Sequence, residues 1–150
     1  MVTQYWPCDR KLSGMLEVIL PYTPYLALFL RVIVGASLMV HGRPKFSNIE
    51  QIKKYAQGMG APASAAYAVA ILEFLGGLFL ILGITVPIVA LFLLIQFAAI
   101  TVAKKFKLKG AYISGQSPVK YEMDVLYLLF ASTLIVLGAG ALSIDSLVGL

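Results

Sequence analysis

The sequence predicts an all-α membrane protein, an antiparallel four-transmembrane-helix bundle with a short amphipathic interfacial helix between spans 1 and 2. Of its 150 residues, 60% are hydrophobic and only 13% are charged, about half the charged share of a soluble domain. The mean hydropathy is +0.89. The apolar residues also fall into four segments of about 18 residues, and a helix of that length crosses ~30 Å of hydrocarbon. This composition excludes a disordered chain, a coiled coil and a soluble domain with a charged surface.

Helices are expected for these segments because a helix satisfies its own backbone hydrogen bonds in lipid. Residues 1–24 form an N-terminal arm, whose apolar stretch 12–20 is compatible either with an interfacial helix or with an ordered arm that has no function. Residues 25–150 form the membrane domain. Its predicted spans are about 25–42, 65–83, 86–103 and 125–142.

The polar connection between the first two spans carries a helix signal of its own. Ser47 and Glu50 have the spacing of a capping box, which predicts Ser47 as the N-cap. Apolar residues then recur at helical spacing as far as Met59. We therefore expect a short amphipathic helix over 48–57 on the membrane surface. Pro44 is expected to end the first span early.

The distribution of lysine and arginine predicts the orientation in the cell membrane. Loop 43–64 carries four basic residues and loop 104–124 carries five, whereas the terminal side has only Arg10 and Lys11. Basic residues collect in cytoplasmic loops. Both termini are therefore expected outside the cell and both long loops in the cytoplasm. In a membrane protein the formal net charge of +5 is a topological signal, so no nucleic-acid partner is expected.

Three polar residues interrupt the apolar spans. Arg31 lies about six residues into span 1, Glu73 about eight from the inner end of span 2, and Gln96 about ten into span 3. At ~1.5 Å per residue all three come within a side chain's length of the membrane midplane. A charge in the membrane is normally paired, so the sequence predicts an Arg31–Glu73 ion pair with Gln96 as a third member. This pair could staple two spans together or take part in proton chemistry.

A second polar layer is predicted at the inner end of the spans. Histidine is the side chain best suited to proton exchange near neutral pH, so His41 could relay protons to and from nearby carboxylates. A head group with two carbonyls, such as a quinone, needs a donor at each oxygen and a flat apolar slot. His41 with Lys45 or Tyr121 could supply the donors, and Phe46 and Tyr127 the slot, although all of these could equally be interface anchors. The catalytic candidates are Arg31, His41 and Glu73, and the ligand-binding candidates are His41, Lys45, Gln96, Tyr121, Glu122 and Asp124.

The chain has one cysteine, Cys8, and one histidine, His41. It can form no disulfide within itself and contains no C-x-x-C motif. A single chain supplies no bis-histidine haem ligation, and a zinc site is not expected. The polar layer around His41 is compatible with quinone as a cofactor, and no metal or haem ligands are expected within one chain.

Several motifs of polar residues and glycines follow one another along the chain: Arg31-x-x-x-Gly35, His41-Gly42-x-x-Lys45, Gly60-Ala61-Pro62, Glu73-x-x-Gly76-Gly77 with Gly83, and Gly138-x-Gly140-x-x-Ser143-x-Asp145. Together they resemble the DoxX family of small four-helix membrane proteins. The resemblance covers about residues 26–150 and implies a membrane bundle tied to respiratory redox chemistry. Family members are associated with archaeal quinol oxidases and thiosulfate:quinone oxidoreductase. Arg31, His41, Lys45 and Glu73 match the family pattern, and Arg43-Pro44 departs from it.

We therefore expect a small membrane subunit of a respiratory or sulfur-oxidation redox complex that contacts quinone or quinol. The alternative is a non-enzymatic structural or assembly subunit that forms a homo-oligomeric bundle. A small proton-coupled transporter is less favoured, because such proteins carry a carboxylate in span 1, where this chain has Arg31. The expected partners are membrane lipids and either other membrane subunits or copies of the same chain.

Overall fold

The computed structural model describes residues 17–18, 20–112 and 119–148, and the regular structure within them is helical, without strands. A short 3-10 helix at Leu20–Tyr22 leads into the first long helix. Of the stretch 12–20, for which an interfacial helix and an ordered arm were both open, only residues 17, 18 and 20 are described. The helices are α1 Thr23–Ser47, α2 Ile49–Gly58, α3 Ala65–Leu82, α4 Val86–Phe106, α5 Glu122–Leu137 and α6 Ile144–Val148.

Three helical segments in the described part are long and apolar enough to cross a membrane: Leu20–Ser47, Ala65–Leu82 and Val86–Phe106. Many large apolar side chains of these helices are exposed, which would be unfavourable in water. Phe29 is 64% exposed and Ile95 is 58% exposed. The fourth predicted span, 125–142, appears as a 16-residue helix, α5, which ends at Leu137. Gly138 and Gly140 follow, and both have a positive φ that does not continue an α-helix.

Helices α1 and α3 pack closely because glycines remove side chains where they cross. A Cβ on Gly35 would lie 2.5 Å from the carbonyl oxygen of Gly77, and one on Gly77 would lie 2.6 Å from that of Gly35. Gly42 approaches the backbone of Phe74 in the same way. Since Gly35 meets Gly77 whereas the later Gly42 meets the earlier Phe74, the two helices run in opposite directions. The core lies where α1, α3, α4 and α5 converge, around Leu38, Leu80, Leu93, Phe97 and Leu134.

The α3–α4 connection is a tight turn that a distant carboxylate completes. Gly83 adopts the left-handed conformation that ends α3, at φ 72°. The Asp145 carboxylate accepts hydrogen bonds from the backbone N–H groups of Thr85 at 2.7 Å and Val86 at 3.3 Å. These groups lie at the start of α4, where N–H groups lack partners within the helix. The segment after α5 is thereby fastened to this turn.

Two local predictions about the first loop are wrong. Helix α1 does not end at Pro44 but continues through it to Ser47, because the outward-facing Val40 carbonyl can lose its intrahelical partner at the helix surface. The capping box also fails. Ser47 is the last residue of α1, and Asn48 precedes α2 without a side-chain cap hydrogen bond. Helix α2 itself forms at Ile49–Gly58, one residue from the predicted range.

Candidate functional site

The centre of the candidate site is an ion pair between α1 and α3. Lys45 Nζ donates to Glu73 Oε1 at 2.5 Å. Gln96 Nε2, on α4, donates to the same oxygen at 3.3 Å. The Glu73 side chain is 1% exposed, whereas that of Lys45 retains 25%. Glu73 Oε2 is buried and has no hydrogen-bond partner among the described residues.

The length of α1 explains why Lys45 reaches Glu73. Lys45 follows Leu38 by seven residues and Gly42 by three, so all three lie on one helical face. Leu38 and Gly42 are buried against the other helices. Lys45 enters this interface only because α1 continues past Pro44. A first span ending at residue 42 placed Lys45 in a loop, which is why the prediction did not pair it with Glu73.

The predicted Arg31–Glu73 ion pair is wrong. Arg31 is fully buried, and its Nη2 donates to the Leu142 carbonyl oxygen at 2.5 Å. Its guanidinium occupies the place that a side chain on Gly83 would take. Gly83 is ten residues beyond Glu73 on α3, about 15 Å along the helix. Arg31 therefore belongs to the end of the molecule that holds the α3–α4 turn, and its role remains a prediction.

A second ion pair joins α4 to the first turn of α5. Lys104 Nζ donates to Asp124 Oδ2 at 2.5 Å, and these side chains are 16% and 10% exposed. One turn further along α5, the Tyr127 ring stacks on Phe97 at 4.8 Å between centroids. The Tyr127 hydroxyl shares a 2.6 Å hydrogen bond with Ser37 Oγ. This pair and its aromatic neighbours connect α1, α4 and α5 beside the Lys45–Glu73 pair.

A cavity of about 430 Å³ lies between α2, α3 and α4, and we call it the apolar cavity. Its polar groups are the two ion pairs, Gln96 and Tyr55 of α2. Burial raises the pKa of the Tyr55 phenol, and the negative charge of Asp124 raises it further. The remaining wall is mainly small or aliphatic, with Ile52, Ala56, Met59, Ala61, Ala65, Ala66, Val69, Ala99, Ile100 and Ala103.

A second cavity of about 320 Å³, here the polar cavity, is also lined by both ion pairs. The two cavities share Lys45, Glu73, Lys104 and Asp124 as lining residues. His41 lines the polar cavity and meets Tyr127 edge-on, with ring centroids 5.9 Å apart. The same cavity is also lined by Phe97, Lys120, Glu122, Met123 and Tyr127.

The structure thus brings together most, but not all, of the predicted site residues. His41, Lys45, Glu73, Glu122 and Asp124 line the polar cavity, and Gln96 lines the apolar one. Two other candidates lie elsewhere. Tyr121 packs against Tyr112, with ring centroids 5.6 Å apart, and Phe46 packs against Phe74. Neither lines either cavity, so the predicted slot between Phe46 and Tyr127 is wrong.

Sequence reasoning missed two residues of this site. Lys104 is predicted only as one of the basic residues of loop 104–124 that indicate the orientation, yet it pairs with Asp124. Tyr55 of α2 lines the apolar cavity. Its position in the helical pattern of 49–59 predicts that it faces the protein, but not which residues it contacts. Within residues 17–18, 20–112 and 119–148, no group of three or more His, Cys, Asp or Glu side chains could hold a metal ion. The groups present donate hydrogen bonds and hold protons.

Comparison with known proteins places this arrangement in a family. The sequence profile of the DoxX family matches residues 26–105. A Bacillus subtilis (strain 168) protein named "Putative oxidoreductase CatD" is 34% identical over 122 residues, 81% of this chain and 85% of that protein. A Haemophilus influenzae protein named "Uncharacterized protein" is 31% identical over 131 residues, covering 83% and 92% of the two chains. No solved structure matches the chain.

Proposed function

The chain belongs to the DoxX family, and from this premise we propose that it is a small integral membrane subunit of a redox complex that binds the head group of a quinone in its apolar cavity. It is a membrane protein by its three long apolar helices and its family. A Bacillus subtilis relative carries an oxidoreductase name. That name supports a link to redox chemistry, and the cavity supports the ligand.

The observation that carries the proposal is the composition of the apolar cavity. Its volume of about 430 Å³ lies within the ~300–1,000 Å³ range of ligand pockets. Such pockets combine apolar walls with a few converging polar groups. Here the walls are alanine, valine and isoleucine, and the polar groups meet at Lys45, Glu73 and Gln96. A flat head group with carbonyl oxygens and an apolar tail fits this division.

The residues have separable roles in this proposal. Lys45 Nζ and Gln96 Nε2 are the donors nearest the polar end, and both already converge on one oxygen of Glu73. Glu73 Oε2 lacks a partner among the described residues, so it can accept a hydrogen bond from a ligand or, when protonated, donate one. A quinone, when bound, supplies a carrier of electrons and protons. The side chains bind it, orient it and manage the protons, while a partner subunit supplies the electrons.

The proposal includes the membrane arrangement. We take α5 as the fourth span of an antiparallel bundle and α2 as a helix on the membrane surface. The contact between Lys104, near the end of α4, and Asp124, near the start of α5, supports the antiparallel pairing of these two helices. The position of α2 over a cavity bounded by α3 and α4 supports its place at the end of the bundle. The loops around 43–64 and 104–124 then face the cytoplasm and both termini face outside. A protease-sensitive tag at the N-terminus should be cleaved from outside intact cells; cleavage only after lysis would contradict this orientation.

The binding proposal is tested by purifying the protein from membranes in mild detergent and measuring the quinone that accompanies it. Ala99 lines the apolar cavity, so Ala99→Phe should fill it and reduce the quinone-to-protein ratio. Ala68→Phe, on the exposed surface of α3 outside the cavity, is the matched control and should leave the ratio unchanged. Equal ratios in all three proteins, or no quinone in the wild type, would contradict the proposal.

The alternative is a structural or assembly subunit, and one observation favours it. Lys45 and Lys104 already have protein carboxylates as partners, as expected where charges only staple helices together. The Glu73→Gln variant separates the two functions. A staple predicts lower thermal stability with normal quinone-linked respiration, whereas a binding site predicts impaired respiration in a protein that still folds. His41→Ala provides a second test, because His41 is exposed and forms no ion pair with another described residue.

A further inference from the structure

The position of Glu73 between the two cavities suggests a function that quinone binding alone does not require. Glu73 lines both cavities while its side chain is 1% exposed. One carboxylate oxygen receives hydrogen bonds from Lys45 and Gln96. The other, Oε2, has no donor among the described residues. A buried carboxylate oxygen without a donor is costly, so a ligand beside this atom must either donate a hydrogen bond to it or meet a proton on it.

The oxidation state of the ligand decides whether Glu73 Oε2 accepts a hydrogen bond from the ligand or must itself carry a proton. A hydroxyl group donates a hydrogen bond, so Glu73 can meet it as a carboxylate. A carbonyl oxygen only accepts, and two acceptors cannot bond to one another unless a proton lies between them. We propose that Glu73 takes up one proton when a carbonyl-bearing ligand enters the apolar cavity, and that the proton reaches it through the polar cavity. This inference rests on the proposed function and adds a proton route to it.

The step balances without any electron transfer. A proton from the aqueous side forms an O–H bond at Glu73 Oε2, and that O–H donates to the ligand carbonyl. When the hydroxyl form of the ligand binds, its own O–H donates to Oε2 and no proton is taken up. The ligand class is therefore a molecule that alternates between carbonyl and hydroxyl forms.

The groups around Glu73 fit a route from the loop side. His41 of α1 and Glu122 of α5 line the polar cavity but not the apolar one, and both residue types can carry protons. Asp124 also lies in the shared wall, but it is held by Lys104. The other charged or titratable groups that face this region are Lys45 of α1, Tyr55 of α2, Lys120 of the loop and Tyr127 of α5. Among these side chains, His41 and Glu122 are the natural relay.

The equilibrium test is calorimetric titration of the detergent-purified protein with decylubiquinone in buffers of different ionisation enthalpy. The buffer dependence gives the protons bound per ligand. We expect about one proton for the wild type with decylubiquinone and none with decylubiquinol. Glu73→Gln should bind decylubiquinone through its amide N–H with no proton uptake. Should Glu73→Gln fail to fold, infrared difference spectra of the wild type provide the readout, with a new protonated-carboxyl band upon decylubiquinone binding.

The kinetic test uses stopped-flow mixing with a pH-indicator dye. Glu122→Gln should take up the same number of protons about tenfold more slowly or worse. Glu50→Gln is the matched control, since Glu50 pairs with Lys53 outside both cavities and should match the wild type. Binding without proton uptake, or equal uptake in Glu73→Gln, overturns the proton inference alone. An unchanged rate in Glu122→Gln overturns the route. No binding of either compound overturns the proposed function and the inference with it.

Discussion

The Lys45–Glu73 ion pair should stabilise the protein through a coupling that a double-mutant cycle can measure. Lys45→Met leaves the Glu73 carboxylate buried at 1% exposure without its cation. Breaking a buried pair by removing one partner costs about 3–5 kcal/mol, and the 25% exposure of Lys45 indicates the lower end of that range. Glu73→Gln keeps a polar partner for Gln96 and leaves a lysine that can extend towards water, so we expect a cost of about 1–2 kcal/mol.

The double variant should be less damaging than the two single changes together. Replacing both partners removes the unpaired buried charge, so the free energy of unfolding should fall by only about 2 kcal/mol relative to the wild type. The coupling energy is then about 2–3 kcal/mol, well above the ~0.5 kcal/mol seen for residues without contact. The assay is reversible unfolding in mixed micelles by titration with SDS, followed by far-ultraviolet circular dichroism.

Two control cycles make this result specific. The Lys53–Glu50 pair is on the surface, where Glu50 is 78% exposed, so Lys53→Met with Glu50→Gln should couple by at most about 1 kcal/mol. Arg31→Met with Glu73→Gln should be additive within about 0.5 kcal/mol, because these side chains contact different ends of α3. A large Arg31–Glu73 coupling with none for Lys45–Glu73 would refute the geometry described above.

Three further predictions concern packing, capping and pH. Gly77→Leu should lower the free energy of unfolding by at least about 2 kcal/mol, because its Cβ would lie 2.6 Å from the Gly35 carbonyl oxygen; Gly76→Ala, whose Cβ meets its nearest atom at 3.4 Å, should change it little. Asp145→Ala removes the caps of α4 and should cost about 1–2 kcal/mol in the same assay; no change would contradict the capping role. Because the pKa of Tyr55 is raised in the fold, its contribution to stability is complete below pH ~10 and is lost as the pH rises through the raised value; Tyr55→Phe should flatten that alkaline loss in pH-dependent unfolding, and an unchanged slope would contradict it.

The sequence was sufficient to predict that the apolar segments are helices, although not where each helix ends, because their hydrophobic residues are bounded by glycine and lysine. Residues 86–103 were predicted as a span, and α4 covers Val86–Phe106. The burial of Arg31 and Glu73, and the contact between Glu73 and Gln96, also followed from placing polar residues in apolar segments. These are local properties of one helix or of a short hairpin.

The pairing between helices could not be predicted, because it depends on the register with which two spans pass each other. Extending α1 by five residues, from 42 to Ser47, is enough to replace Arg31 by Lys45 as the partner of Glu73. The glycine contacts between Gly35 and Gly77 set that register, and it becomes visible only when both helices are placed. The fastening of the α3–α4 turn by Asp145, 60 residues from Thr85 in sequence, is another contact without a local signal.

Photolabelling is the direct test of the proposal that a quinone head group binds between α2, α3 and α4. The purified protein is irradiated with an azido-quinone, digested, and the labelled peptides are identified by mass spectrometry, with excess decylubiquinone as competitor. We expect competed labelling on the segments that line the apolar cavity, residues 52–61 and 96–104, and its loss in Ala99→Phe but not in Ala68→Phe. Labelling that is spread over the lipid-facing surfaces, or that excess decylubiquinone does not reduce, would contradict the claim.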